Sequence, residues 1–180
     1  MNTLERKLLP IARKWAGNIP TWEVRKAGID PSAVRHWAAN NPNVRHTGRG
    51  VYTWFSHDPQ INWESSEAAR LVSQAGEGAY LWGPTALEFM EIGDVGQNYY
   101  DIAVATRRRP REGVSWIVEH DGTWELYNGV PTQSPMEAAV ASMPLLEWDK
   151  RVSVLEDLRR RFPEAETVIA ALEREVFVAS

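Results

Sequence analysis

Residues 20–54 read PTWEVRKAGIDPSAVRHWAANNPNVRHTGRGVYTW, and the punctuation of this stretch decides the fold of the first third of the chain. Thr21 can cap a helix whose Trp22, Val24 and Ala27 face inward, and Gly28 supplies the left-handed residue that helix ends favour. Asp30 and Pro31 then occupy the N-cap and first-turn positions of a second helix. Val34, Trp37 and Ala38 form its apolar stripe, which leaves Ser32, Arg35, His36 and Ala39 outward. Val44–His46 and Gly50–Phe55 predict a strand pair with Thr47-Gly48-Arg49 at its tip, where two glycines suit a tight hairpin. Helix, turn, helix and basic hairpin follow one another in the order of a winged helix-turn-helix.

Charge is distributed to match. Residues 1–56 hold nine Lys/Arg against three acids, a net +6, whereas residues 57–180 hold 11 against 21, a net −10. A whole chain at −4 thus conceals a basic head, and such asymmetry points to a polyanion-binding module joined to something else. Only cations placed near phosphates contribute to the salt-dependent part of DNA affinity, so segment charge is more informative than a pI of about 5.6.

A recognition helix presents its N-terminal outward side chains to base edges, which makes Ser32, Arg35 and His36 the candidates for readout. Arg35 is the strongest, because its planar fork can bond guanine at two points. Arg49 at the hairpin tip would reach a phosphate or the minor groove, and Lys26, Arg45 and His46 complete the candidate DNA-binding set. Upstream, Leu4, Leu8, Ile11 and Trp15 share one face of a first helix over Thr3–Ala16, with Pro10 a potential kink.

At 180 residues the chain suits one domain or two small ones. It has no Cys, which excludes disulfides and thiolate chemistry. No apolar run approaches about 18 residues, and the N-terminus mixes acid and base too closely for a signal peptide, so a cytoplasmic protein is expected. The nine Trp form no repeat and read as hydrophobic anchors.

Beyond Ser56 a polar linker opens the acidic region. Helices are expected over Trp63–Ala75, Thr85–Ile92, Pro135–Met143, Lys150–Arg161 and Glu164–Phe177, the last with Val168, Leu172 and Val176 inward. Tyr99–Ala105 and Gly113–Glu119 read as strands, and Asp121-Gly122 suits a type I′ turn joining SWIVEH to TWELY. The fold class is therefore α+β, a winged helix-turn-helix domain over 1–56 followed by a mixed α+β domain over 57–180.

Arg107, Arg108, Arg109 and Arg111 form the one basic island of the acidic half. Guanidinium groups so close repel one another unless an anion is near, so the loop reads either as an anion-binding site for nucleic-acid backbone or as a solvated loop. Enzyme chemistry would have to use Glu119-His120-Asp121 or His57-Asp58. Neighbours on a strand face opposite ways, the turn explains Asp121, and the linker explains His57-Asp58. No Walker loop, HExxH, GxSxG or GxGxxG is present. The reading is of a non-enzyme with no catalytic residue, metal or cofactor.

The chain also resembles a known family. EVRKAGIDPSAVRHWAANNPNVRHTGRGVYTW is similar to the N-terminal winged helix of AbiEi-type antitoxins, with Arg49-Gly50-Val51-Tyr52 at the end of the wing. AYLWGPTALEFMEIGD, YYDIAVATRRRPREGVSWIVEH and SPMEAAVASM resemble later motifs of that family, so the resemblance spans most of the chain. Two departures are a chain shorter than many members and Trp82-Gly83 where Ser-His is usual. The resemblance implies an antitoxin of a type IV toxin–antitoxin, or abortive infection, phage-defence system. Such a protein is a transcriptional regulator that represses its own operon at an inverted-repeat operator in double-stranded DNA. It also counteracts a nucleotidyltransferase-like toxin without a stable complex. The alternatives from the residues themselves are an interaction or sensor protein whose winged helix supports a partner site, and a nuclease-like enzyme.

Overall fold

The computed structural model describes residues 1–178, which divide into two compact units. One takes Met1–Ala79 with Leu126–Pro131, and the other takes Tyr80–Glu125 with the chain from Thr132 onward. The fold is mixed α+β with two sheets.

In the first unit, helix α1 (Thr3–Lys14) begins with a capping box: Asn2 Oδ1 accepts from the Glu5 N–H at 2.8 Å, and Glu5 Oε2 accepts from the Asn2 N–H at 2.8 Å. Leu8, Ile11 and Trp15 are buried on the expected face, and Pro10 lies inside the helix. Strand β1 (Asn18–Pro20) follows at once and was not expected. Its presence removes Thr21 from the capping role. Pro20 is the N-cap of α2 (Thr21–Lys26), while the Thr21 N–H and hydroxyl both donate to the Gly50 carbonyl, at 2.8 and 3.1 Å.

The next corner forms as read. The Gly28 N–H donates to the Arg25 carbonyl and the Ile29 N–H to the Val24 carbonyl, each at 3.0 Å, with Gly28 at φ +70. That pair of bonds is a Schellman ending, and buried Ile29 supplies its apolar contact. Asp30 caps α3 (Pro31–Ala39), which leads into β2 (Val44–Gly48) and β3 (Val51–Trp54). The sheet is antiparallel in the order β1-β3-β2, with a bulge between His46 and Gly48.

Helix α4 (Ser66–Ala75) also belongs to this unit, so the boundary expected at residue 56 lies further on by packing. Two hydrogen bonds anchor it: the Trp22 indole donates to the Ser73 carbonyl at 2.8 Å, and the Asn18 amide donates to the Ser66 carbonyl at 2.9 Å. Its buried Leu71, Val72 and Ala75 give the reason, since a three-stranded sheet with short helices needs a further apolar face to close its core.

The second sheet has the order β6-β5-β4-β8-β7, from β4 (Tyr80–Leu81), β5 (Tyr100–Val104), β6 (Val114–Val118), β7 (Trp124–Tyr127) and β8 (Val130–Gln133). β4 runs antiparallel to β5 and parallel to β8, and β5 runs parallel to β6. The expected hairpin at Asp121-Gly122 is therefore absent: its two strands stand at opposite edges. The tight turn is Asn128-Gly129, whose φ values of +48 and +80 suit a type I′ hairpin joining β7 to β8. Gly122 instead leaves room for the Tyr80 hydroxyl and the Glu119 carboxylate.

Helices α5 (Gly83–Phe89), α6 (Pro135–Ser142), α7 (Trp148–Arg161) and α8 (Glu166–Val178) belong to the second unit. On α8 the inward residues are Ile169, Leu172 and Val176, while Val168 faces out, one position from the expected stripe. Asp101 is buried within β5, accepting from the Gln97 amide at 2.9 Å and the Thr85 hydroxyl at 3.3 Å. Burial pushes its carboxyl above the usual carboxylate range, against those hydrogen bonds.

Candidate nucleic-acid interface

Helix α3 is held from beneath. Val34 and Trp37 are buried, the Trp37 ring meets Trp54 of β3 edge-on at 5.2 Å, and its indole donates to Glu5 Oε1 at 3.1 Å. The Asn2 N–H and then the Trp37 indole hold the Glu5 carboxyl below its ordinary value. These contacts orient the opposite face outward, and Ser32, Arg35 and His36 are all exposed there.

Ser32 is not a free reader. Its hydroxyl donates to Asp30 Oδ1 at 2.6 Å and its N–H to the same oxygen at 2.9 Å, which lowers the Asp30 pKa. The residue serves the helix cap, a role that a sequence showing both residues could have suggested. Arg35 has no carboxylate within ion-pair distance among the described residues, and its charge also favours the Asp30 anion.

The hairpin divides the remaining candidates between its faces. Register pairs Val44 with Trp54 and His46 with Tyr52, so His46 shares the face that packs on Trp37 and its ring lies 5.1 Å from that of Tyr52. Arg45 pairs with Thr53 and therefore points to the reverse face. There Thr53 donates to Asn18 Oδ1 at 2.7 Å and lies 2.8 Å from the Thr47 hydroxyl. Asn18 in turn reaches Ser66, so a satisfied polar chain fastens the back of the hairpin to α4. Arg49 is exposed at the tip, where Gly50 at φ +74 offers its carbonyl to Thr21. Strand register thus sets His46 and Arg45 on opposite faces of the hairpin, while Arg35 and His36 are exposed on α3.

Lys26 is exposed but forms an ion pair with Glu77, which raises its pKa. Arg13 pairs with Asp58 at 2.8 Å and Lys14 with Glu23 at 2.9 Å. Residues 57–79 add one arginine and four acids, so the net charge of residues 1–79 falls from the +6 of the head to +3. Among the described residues no carboxylate lies within ion-pair distance of Arg35, Arg45 and Arg49 on α3 and the hairpin, nor of Arg6 and Lys7 on α1 and Arg25 on α2. Neither the α4 anchors nor the Glu5–Trp37 contact was foreseen, although Asn2 and Glu5 have the spacing of a capping box.

Arg107–Arg111 lie in an exposed loop before the edge strand β6. The Trp116 indole of β6 donates to the Arg109 carbonyl at 2.9 Å, the Arg108 guanidinium sits 6.0 Å from the Trp116 ring, and Arg111 bridges to Val114. The loop is tied to β6 by these contacts, and charged cover of this kind protects an edge from pairing with another chain. Glu119 and His120, expected to diverge along a strand, instead follow the end of β6 and line a common groove with Asp121, which was expected in a turn. Asp58 of the His57-Asp58 pair is held by Arg13.

No protein-family model and no curated protein sequence matches the chain. Among solved structures, the crystal structure of RV2827C protein from Mycobacterium tuberculosis is similar over 96% of this chain and 76% of that one, with 14% identity and a TM-score of 0.38. A likeness at that level carries no argument about function.

Proposed function

We propose that the first unit is a winged helix-turn-helix that binds double-stranded DNA, with α3 entering the major groove and the β2–β3 hairpin as the wing. The observation that carries this reading is the pairing pattern of the cations. Arg35, Arg45 and Arg49, the Lys/Arg residues of α3 and the hairpin, all stand exposed without a carboxylate partner among the described residues; on α1 and α2, Arg13, Lys14 and Lys26 are matched by acids, while Arg6, Lys7 and Arg25 are not. Arg35 and His36 read base edges, Arg49 contacts phosphate at the tip, and Arg45 and Lys26 are secondary backbone contacts. Ser32 contributes through the helix cap.

The resemblance to AbiEi-type antitoxins extends the proposal to an autorepressor and antitoxin acting at an inverted-repeat operator. Its functional partner is then a nucleotidyltransferase-like toxin, met in the cytoplasm without a stable complex.

The test is a fluorescence titration of the full chain with duplex from its own upstream region, repeated across salt concentrations. With about four phosphate contacts the log–log slope is on the order of −3 to −4. Undetectable or salt-independent binding ends the repressor reading. An adjacent reading frame for a nucleotidyltransferase-like protein, and growth rescue when the two are co-expressed, test the antitoxin part separately.

A further inference from the structure

Three half-exposed valines of the second unit, Val118 (48%), Val140 (52%) and Val168 (49%), line one groove of about 780 Å³. They come from three elements, the end of β6, helix α6 and helix α8, with Met136 and Ala141 alongside. Single exposed aliphatics are ordinary, but aliphatics gathered in a concavity from separate elements mark an interaction surface.

The rim is acidic. Glu119, Asp121 and Glu137 line the groove, and among the described residues no Lys or Arg does. Glu119 and Glu137 both act on the buried Tyr80 hydroxyl, which burial first and then hydrogen bonding to Glu119 hold above its ordinary pKa, so the two carboxylates face a common region. Thr123 donates to Glu137 at 2.7 Å and steadies its orientation. These partners are neutral, and among the described residues no Lys or Arg forms an ion pair with the carboxylates of the rim.

We infer that this groove docks a cationic amphipathic helix supplied by another protein, with its apolar face on Val118, Val140 and Val168 and its lysines or arginines against Glu119, Asp121 and Glu137. A helix about 10 Å across with a 5.4 Å pitch fills roughly 420 Å³ per turn, so the groove takes about two turns, enough for anchors at i, i+3 or i+4, and i+7. Nucleic acid is repelled by the carboxylates. A second copy meeting this face two-fold would set the same acids against one another.

The probe is a labelled peptide of about fourteen residues with leucines at the anchor positions and lysines elsewhere, beside a twin with glutamate in place of lysine. Fluorescence anisotropy with the full chain is expected to favour the lysine peptide by at least about tenfold, a margin that shrinks in high salt. Val140→Asp with Val168→Asp abolishes the binding, and Asp121→Asn with Glu137→Gln removes most of the preference for lysine. Thermal unfolding checks that the variants remain folded. Should the aspartate pair unfold, Val140→Ser with Val168→Ser replaces it and is expected to weaken binding about tenfold.

Equal binding of both peptides, or of neither, overturns the inference. So does a sedimentation experiment in which the chain self-associates and Val140→Asp alone makes it monomeric, because the occupant is then a second copy. The inference stands apart from the DNA reading: duplex binding by the groove variants is expected to match that of the parent chain.

Discussion

Arg35 and Arg49 in the first unit and Arg107–Arg111 in the second are exposed clusters of the same cation, held by different means. Arg35 projects from a helix whose underside is locked by Val34 and Trp37, and Arg49 from a turn fastened to Thr21. The backbone there is fixed by contacts on the far side, and the charged side chains stay outward. In the arginine loop the contacts fall on the cluster itself: Trp116 holds the Arg109 carbonyl, Arg108 sits over the Trp116 ring, and Arg111 bridges to β6. Local charge is thus a poor guide to a binding face. Where the supporting contacts fall distinguishes a surface that can meet a ligand from one that covers the protein's own edge.

The largest expected effect bears on the support of the first cluster. A fragment ending at Ser56 lacks α4, and with it Leu71, Val72 and the partners of Asn18 and Trp22. Each lost apolar side chain or buried hydrogen bond is worth about 1–3 kcal/mol, against a total stability of about 5–15 kcal/mol. Circular dichroism is expected to find this fragment unfolded. A cooperative thermal transition in the fragment would break the comparison, since the arginine face would then need no such backing.

The second test separates reading from positioning. Arg35→Ala is expected to weaken cognate duplex by about 1–3 kcal/mol and to relax sequence preference, while Arg49→Ala weakens cognate and random duplex by similar factors. Competition binding with both duplexes measures it. Parallel losses in the two variants would reduce Arg35 to a phosphate contact and erase the division of labour within the cluster.

A smaller effect concerns the second unit and pH. The folded-state pKa of Asp101 is raised by burial, so its contribution to stability is full below the unfolded carboxylate value and is lost as pH rises through the folded one. Removing the charge by Asp101→Asn should flatten that decline in urea denaturation series run from acid to neutral pH. An unchanged slope assigns the decline to other groups. The pair of exposed Arg13 with half-buried Asp58 works in the opposite sense: Arg13 first, then the Gln60 N–H, lowers the Asp58 pKa, so its help is present above the unfolded value and lost as pH falls through the folded one.

The smallest effect on stability is expected from converting Arg107, Arg108, Arg109 and Arg111 together to Gln, within about 0.5 kcal/mol, because the side chains are exposed. Light scattering should instead report more self-association as the charged cover of β6 is lost. Reduced nucleic-acid binding without association would move this cluster into the same class as Arg35 and Arg49.

Local signals were legible where a backbone conformation has one chemical solution. Gly28, Asp30 and Pro31 mark the α2–α3 corner because a left-handed residue, an oxygen cap and a fixed φ are each needed within a few positions. Asn128-Gly129 carries the same kind of signal for the β7–β8 turn, but Asp121-Gly122 competes with it in sequence, and only strand pairing distinguishes them. Val168 and Ile169 are similar as neighbours in a helical pattern, and the direction of the core selects Ile169. The candidate interface divides in the same way. The outward placement of Arg35 and His36 follows from helical period, whereas the engagement of Ser32 by Asp30 and the reverse-facing Arg45 depend on a cap geometry and a strand register.

By itself, then, the sequence determined the α2–α3 corner, the basic tip at Arg49, the alternation of β5 and the segregation of charge between head and remainder, because each depends on neighbours a few residues apart. Tertiary structure alone decided that α4 closes the first unit, that β6 and β7 stand at opposite edges of their sheet, that Lys26 meets Glu77 and that three valines share a groove. Those outcomes join residues distant along the chain. They are set by which apolar faces can be buried together and which buried polar groups can find partners, and no local pattern records that competition.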